Sequence, residues 1–388
     1  MLIYLNSYKS IQIKTTDLRF LLCFLLVPIY GIIVMPLNVI VYGNTYLSFG
    51  GRTIGRIINT CTNVSLFFLI ASYLNKDNCN FELIMRAYIA GCLVLIIFGL
   101  WQLAHNFFGI PYPNFQTRSH LHSIGSSELE VTGRITSIAE EPSYLVPYLL
   151  ESFILIYFSK CKYKKVWIFF TVITLVFTLS LSAYMNVCIL LCYLFFSSRL
   201  TRKKVIIFCI ALVSIVLLFY LVSPILIQVF SRMRFSSLLQ SERLQQIYLP
   251  LIKQFQDMNY WGYGPKGYDF VADLIEYAAG WREGQVLGDS STTSHVLFVD
   301  FLLEYGLLGV LLLLFLFIPL FKKTFLLYRF QGCKVPHIFL VNYLISNLFV
   351  VDYASPHCLI VFSIIMYYMK LETREKRNLS LNSTFDAK

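Results

Sequence analysis

The sequence predicts an all-α integral membrane protein with about ten membrane-spanning helices. Three observations predict it. First, 57% of the 388 residues are hydrophobic and only 14% carry charge, too little polar surface to cover one soluble core of this length. Second, runs such as Val205–Pro224 hold no charged residue and are long enough to cross a hydrocarbon layer of about 30 Å as a helix. A helix is also the open segment that satisfies its own backbone there. Third, the basic residues recur on alternate sides of the apolar runs, as orientation in a membrane demands.

Taken in order, the expected spans lie near 18–41, 54–73, 83–108, 143–159, 166–181, 182–198, 205–224, 295–320, 335–351 and 354–370. The first follows a polar start with Lys9, Lys14 and Arg19 and no small-residue cleavage pattern, so it reads as a retained span. The stretch 166–198 is too long for one ordinary helix and contains Leu-Ser-Leu-Ser-Ala-Tyr-Met-Asn from Leu179 to Asn186. Two short spans meeting at a tight outer turn fit it best, because serine and asparagine satisfy backbone groups freed at a break.

With the N-terminus inside, the inner segments collect most of the 32 basic residues. They include Lys160, Lys162, Lys164 and Lys165, then Arg199, Arg202, Lys203 and Lys204, then Lys322, Lys323, Arg329 and Lys334. The net charge of +11 is therefore a topology signal, and no nucleic-acid partner is implied. An even number of crossings returns 371–388 to the inner side as a charged tail. None of the ten cysteines falls in the two outer loops, so neither a disulfide framework nor a Cys-x-x-Cys metal spacing is expected.

The chain thus reads as one polytopic domain, 1–388, with two outer loops. Loop A, 109–142, carries Arg118, His120, His122, Arg134, Glu140 and Glu141. His120-x-His122 has ligand-like side chains but no evident third partner, and no metal is expected. Loop B, 225–294, is the largest hydrophilic segment. Leu244, Ile247, Tyr248, Leu251, Ile252 and Phe255 follow the spacing of one helical face, with Ser241 as N-cap and Pro250 as a kink. This helix is expected to lie in the membrane interface. The turn-rich Trp261-Gly-Tyr-Gly-Pro-Lys-Gly-Tyr268 follows, whose glycines permit close backbone approach. Tyr263 and Lys266 within it are secondary site candidates.

Chemistry-bearing residues gather at the outer ends of spans. Arg134–Ser143 reads RITSIAEEPS; Pro142 suits the first turn of a helix and Glu141 sits where the helix N-terminus favours negative charge. One reading is a capped helix start, and the other is a carboxylate and an arginine held at the outer surface for a charged lipid-linked substrate. His295 opens the eighth span and is the side chain most readily poised as a base; an interfacial histidine capping a helix is the alternative. Asp300 and Glu304 share one face of the same span, and Glu151 lies within the fourth. Carboxylates at such depth need a partner or a wet cavity, which makes them site candidates. Arg232, Arg234, Arg243 and Arg282 stand in loop B, where topology requires no positive charge. Their planar forks match phosphate oxygens, although scattered solvated arginines would have the same spacing.

Together these residues resemble the bacterial O-antigen and capsule repeat-unit polymerases of the Wzy type, which form one superfamily with the O-antigen ligases. Arg134 upstream of Glu141-Pro142-Ser143 resembles the polymerases' arginine and E-P-S element. Arg243 followed by Trp261–Pro265 resembles the large outer loop's arginine and glycine-rich turn. His295 with Gly306 and Gly309 resembles the His-to-G-x-x-G element, with Val296 where ligases usually carry Asn, Ser or Gln.

The resemblance implies a GT-C-like, metal-independent, inverting glycosyltransferase in the bacterial cytoplasmic membrane, without cofactor and with both termini cytoplasmic. The implied donor and acceptor are oligosaccharides linked to undecaprenyl pyrophosphate, polymerised into O-antigen, capsule or exopolysaccharide, with a flippase and a chain-length regulator as further partners. Arg134 and Arg243, helped by Arg232 or Arg234, would steady the pyrophosphate leaving group, and His295 or Glu141 would take the acceptor's proton. A ligase delivering the glycan to lipid A-core, protein or another acceptor is the nearest alternative. A non-enzymatic lipid-glycan flippase is the alternative of another class; it would line a path through many spans with ionisable residues.

Overall fold

The computed structural model describes residues 15–47, 50–74, 81–113, 120–121, 129–130, 134–139, 141–159, 162–197, 206, 210, 213, 242–274, 296–330, 332–348 and 357–370. The elements run α1 (Thr15–Tyr42), α2 (Asn44–Leu47), α3 (Gly50–Leu74), α4 (Phe81–Phe108), the two-residue strands β1 (His120–Leu121) and β2 (Leu129–Glu130), α5 (Pro142–Phe158), α6 (Lys164–Phe177), α7 (Leu181–Ser197), α8 (Glu242–Gln256), α9 (Gly267–Leu274), α10 (Leu297–Phe330) and α11 (Val335–Ser346). A last helix, α12, covers His357–Lys370. The strands pair antiparallel, with His120 opposite Glu130.

Among the described residues, Gly50–Tyr73, Leu83–Phe108 and Leu297–Phe330 are long and apolar enough to cross a membrane, and five shorter apolar helices accompany them. The apolar run expected over 205–224 lies almost wholly outside the described residues, as do Ser241 and 371–388. Many large apolar side chains point outward, Ile40 at 80%, Phe196 at 75% and Phe315 at 62% exposure among them. A soluble fold buries such residues; a bilayer solvates them.

The chain divides into two compact units. One holds Met1–Arg86, Gln246–Leu340 and Val351–Lys388; the other holds Ala87–Gln245 and Val341–Val350. In the first unit α1 packs on α3 and α10, and α9 packs on α10. Its core is aromatic: Tyr46, Tyr263, Tyr268, Phe270 and Leu303 are buried together, with Met35, Val39, Tyr42, Leu251 and Val299 against them. In the second unit α5 packs on α6 and α7. Ile96, Leu145 and Leu149 form one apolar cluster there and Val146, Leu150 and Ala183 another.

The stretch 166–198 is two helices, as its length demanded. They part at Thr178–Ser180, where Leu179 takes a left-handed φ of 45°. The break falls at the leading edge of the polar run, leaving Ser182 and Asn186 inside α7. Ser180 Oγ and Ser182 Oγ lie 2.6 Å apart, and the Ala183 N–H donates to Ser180 O at 3.0 Å, which starts the new helix.

Candidate functional site

In the first unit, two glycine motifs distant in sequence meet. Helix α10 is interrupted at Gly306, whose φ of 61° and ψ of −157° belong to a region essentially open only to glycine. An interruption strands the last carbonyls of the half-helix before it and the first N–H groups of the half after it. The Trp261–Tyr268 turn, with Gln254 and Tyr260 just before it, supplies the missing partners. Gln254 Nε2 donates to Leu302 O at 2.7 Å. The Tyr263 and Gly264 N–H groups donate to Leu303 O and Glu304 O at 2.7 and 2.8 Å, and the Leu307 N–H donates to Tyr260 O at 3.0 Å.

Such backbone approach leaves no room for side chains. A Cβ on Gly306 would overlap the Tyr260 carbonyl. One on Gly262 would stand 2.5 Å from both Glu304 O and Gly306 N. Gly262 and Gly264 also hold positive φ, 88° and 84°, which a β-carbon disfavours.

The opposite side of the turn is held by one stripe of α1. Tyr30, Val34, Asn38 and Tyr42 recur every four residues and so share a face, continued by Tyr46 on α2. Tyr30 OH donates to Trp261 O at 3.0 Å, and Tyr46 OH to Tyr263 O at 2.8 Å. Asn38 Nδ2 donates to Gly262 O at 3.1 Å, while its Oδ1 accepts from Asn259 Nδ2 and Trp261 Nε1 at 3.3 and 3.4 Å. Gly31 is bare where the ring of Pro265 presses in, its Cγ 2.7 Å from where a Cβ would be. Asp257 finishes the join: its Oδ2 accepts from Tyr42 OH at 3.1 Å and Tyr263 OH at 3.0 Å, and its Oδ1 from Lys253 Nζ at 2.8 Å.

All four secondary candidates lie in this unit. Tyr263 is fully buried and its hydroxyl is committed to Asp257. Lys266 takes a left-handed φ of 66° and pairs with Asp269 at 3.8 Å, at the start of α9. Asp300 and Glu304 are buried on the short half-helix before the break, 1% and 3% exposed. His295, Arg232 and Arg234 lie outside the described residues. Arg243 is the second residue of α8. Along α8, Pro250 and Gln254 face inward while Ile252 and Phe255 are 46% and 58% exposed, an outward apolar strip of the kind an interfacial helix presents.

In the second unit, residues 134–139 form a folded connection. Two successive N–H groups, of Thr136 and Ser137, donate to Gln102 Oε1 at 2.8 Å each. Ser137 holds φ at 57°; its Oγ donates to Leu95 O at 2.7 Å and its carbonyl accepts from Tyr112 OH at 3.1 Å. Burial pushes the Tyr112 phenol up to about 12, so it donates throughout the physiological range.

Half-buried Arg134 opens this connection. Its Nε donates to Thr178 O at 3.4 Å, at the α6–α7 break, and the Ile135 N–H donates to Phe177 O at 3.0 Å. Glu141 closes it, in an extended conformation (φ −130°, ψ 150°) directly before Pro142 at the start of α5. Its carboxylate makes no capping bond to the helix N–H groups; its Oε2 accepts from Ser143 Oγ at 3.2 Å. Deeper in the unit, Glu151 is 1% exposed and accepts a hydrogen bond from Tyr88 OH.

Sequence reasoning named the glycine turn, Gly306, Arg134 and Glu141. It missed Tyr30, Asn38, Tyr42, Tyr46 and Gln102, which hold those segments. Polar side chains eight and then four residues apart along an otherwise apolar span (Tyr30, Asn38, Tyr42) were the available signal for the α1 stripe.

The helices and the two local arrangements define a class: a multi-helix membrane protein whose one unit builds a glycine turn into a broken helix and whose other unit carries an arginine and a carboxylate ahead of a helix. Comparison with known families narrows it. Residues 166–314 match the family model described as O-antigen ligase, a match that supports the O-antigen ligase/polymerase superfamily. The matched stretch contains Arg232, Arg234, Arg243, the Trp261–Tyr268 turn, His295 and the break at Gly306, while Arg134 and Glu141 precede it. No curated protein matches the chain significantly.

Proposed function

We propose that this chain is a glycosyltransferase that polymerises oligosaccharide repeat units carried on undecaprenyl pyrophosphate, at the outer face of the bacterial cytoplasmic membrane. One observation carries the reading: the stretch similar to O-antigen ligases coincides with the turn and broken helix that the chain builds with the most care.

The chemistry is a displacement at the anomeric carbon. A hydroxyl of the acceptor repeat unit attacks that carbon, the bond from carbon to pyrophosphate oxygen breaks, and undecaprenyl pyrophosphate departs with the bonding electrons. Inversion at the carbon follows from a single displacement. The acceptor's proton passes to a base, His295 or Glu141. Charge accumulates on the departing pyrophosphate, so fixed cations beside it contribute most. Arg243 and Arg134 take that role, with Arg232 or Arg234 assisting, because a guanidinium can grip two phosphate oxygens at once. Neither metal nor nucleotide is required for these steps.

The ligase reading has its own support, since the matching family is described as O-antigen ligase; Val296, where ligases usually carry a polar residue, favours polymerisation. Purified chain given only undecaprenyl-pyrophosphate-linked repeat units separates the two. A ladder of lengthening lipid-linked glycans supports polymerase, and turnover that requires added lipid A-core or protein supports ligase. In the same assay Arg243→Ala should reduce product at least a hundredfold and Arg243→Lys should not rescue it. Wild-type product from the lysine variant would remove the two-oxygen grip from the mechanism.

A further inference from the structure

The hydrogen bonds of the Trp261–Tyr268 turn double as a depth gauge. Helices α1 and α10 pack on one another, and the turn's contacts run from Tyr30 to Asn38 along α1, with Tyr46 of α2 beyond, and from Leu303 to Leu307 along α10. Along α10, Gln254 bonds to Leu302 and Tyr260 to Leu307. At 1.5 Å per helical residue, Tyr305, the last residue before the break and two before Leu307, lies roughly 12 Å beyond Leu297, where the helix begins. Along α1, Asp257 bonds to Tyr42 at the helix end, whereas Trp261 bonds to Tyr30 and Pro265 packs on Gly31. Tyr30 lies roughly 18 Å from Tyr42 by the same measure. Both helices are longer than a hydrocarbon layer of about 30 Å requires, but within the spans expected over 18–41 and 295–320 Tyr30 and Leu307 each stand at the midpoint.

We infer that residues 259–268 are a re-entrant membrane element, seated near the middle of the bilayer and not in the outer loop around it, and that this element fixes the position of the half-helix Leu297–Tyr305. Three features fit that depth. Non-helical backbone inside a bilayer requires every polar group to be met by protein, and here the α10 break and the α1 stripe meet them. The turn's interior residues Gly262, Tyr263, Gly264 and Pro265 are buried. The side chains it does expose stand among lipid-facing neighbours: Tyr260 at 52% exposure is joined to Leu307 at 55%, with Leu308 and Leu311 at 45% and 60%.

The consequence for the proposed reaction, on which this part rests, is positional. The break uncouples the half-helix bearing Asp300 and Glu304 from the long apolar remainder of α10. The turn, gripped by Asn38, then decides where this half-helix stands, which in sequence directly follows Val296 and His295, the proposed base. Asn38 is accordingly a positioning residue, touching the turn and not the reacting atoms.

Depth is tested without reference to activity. A nitroxide amino acid is placed by stop-codon suppression at position 260, or 307, of the full-length chain in phosphatidylethanolamine–phosphatidylglycerol vesicles. Relaxation by oxygen and by a water-soluble nickel chelate is then compared. Both sites should favour oxygen and report depths within about one helical turn, ~5 Å, of each other. A position-260 label relaxed mainly by the nickel chelate would overturn the re-entrant assignment. The positional claim is tested with Asn38→Leu in the glycan-transfer assay: turnover should fall at least tenfold while donor retention stays within twofold. Unchanged turnover, or a parallel loss of donor retention, would overturn it. If wild-type chain transfers no glycan while the labels lie deep, the proposed reaction fails and the re-entrant element stands.

Discussion

The two units leave helical geometry in different ways. In the first, the turn at Trp261–Tyr268 is joined to the α10 break backbone to backbone, and the positions that matter must lack a side chain. In the second, residues 134–139 are held by side chains: Gln102 accepts from two N–H groups, and Ser137, Tyr112 and Arg134 complete the hold. The backbone join at the α10 break is intolerant of added atoms, whereas residues 134–139, like the far side of the turn, are intolerant of removed hydrogen-bonding groups. The comparison breaks if the two kinds of substitution have similar effects.

The largest effect is expected at Gly306. Alanine there meets a forbidden backbone conformation and overlaps the Tyr260 carbonyl, so the turn must leave the helix. The loss should exceed about 3 kcal/mol, the scale of one strained residue plus an overpacked contact. Gly306→Ala should abolish glycan assembly and sharply lower the thermal midpoint of the detergent-solubilised chain. Gly50→Ala, where a Cβ has open space, should leave both unchanged.

Gln102→Leu comes next. It removes the acceptor for two buried N–H groups while keeping side-chain volume, and each unmet group costs about 1–3 kcal/mol. A loss of about 2–6 kcal/mol should appear in thermal unfolding. Protease cleavage within 134–139 should rise at temperatures where Gly306→Ala, acting in the other unit, leaves that segment protected. Cleavage that rises equally in both variants would mean the units unfold together.

This contrast also explains what could be read in advance. Glycine clusters announce close backbone approach, so Trp261–Tyr268 and Gly306–Gly309 stood out in the sequence, as did Pro142 at the start of α5 and the overlong 166–198. That the two glycine clusters are each other's partner was not legible, because nothing in either pattern names the other. Gln102 was invisible for a different reason. One amide in an apolar helix satisfies itself in many ways, and only the fold shows which backbone it serves. Likewise Glu141 reads correctly as the residue before a helix, but that it accepts from Ser143 Oγ and not from a helix N–H is a choice between neighbouring donors that the sequence does not name.

The smallest effects are expected where the join relies on exposed charge. Lys253 and Asp257 are four residues apart, at the end of α8, with side chains 33% and 17% exposed. Such a pair contributes about 0.5 kcal/mol. Lys253→Ala should therefore shift the thermal midpoint by no more than a degree or two, within the range expected of about 0.5 kcal/mol in a chain this long. Asp257→Leu should cost more, about 2 kcal/mol, because the Tyr42 and Tyr263 hydroxyls both lose their acceptor. If the lysine variant proved as damaging as the leucine variant, Asp257 would owe its placement against Tyr42 and Tyr263 to the Lys253 ion pair. The hold on the re-entrant segment would then weaken as salt is added, which the tyrosine-based hold does not predict.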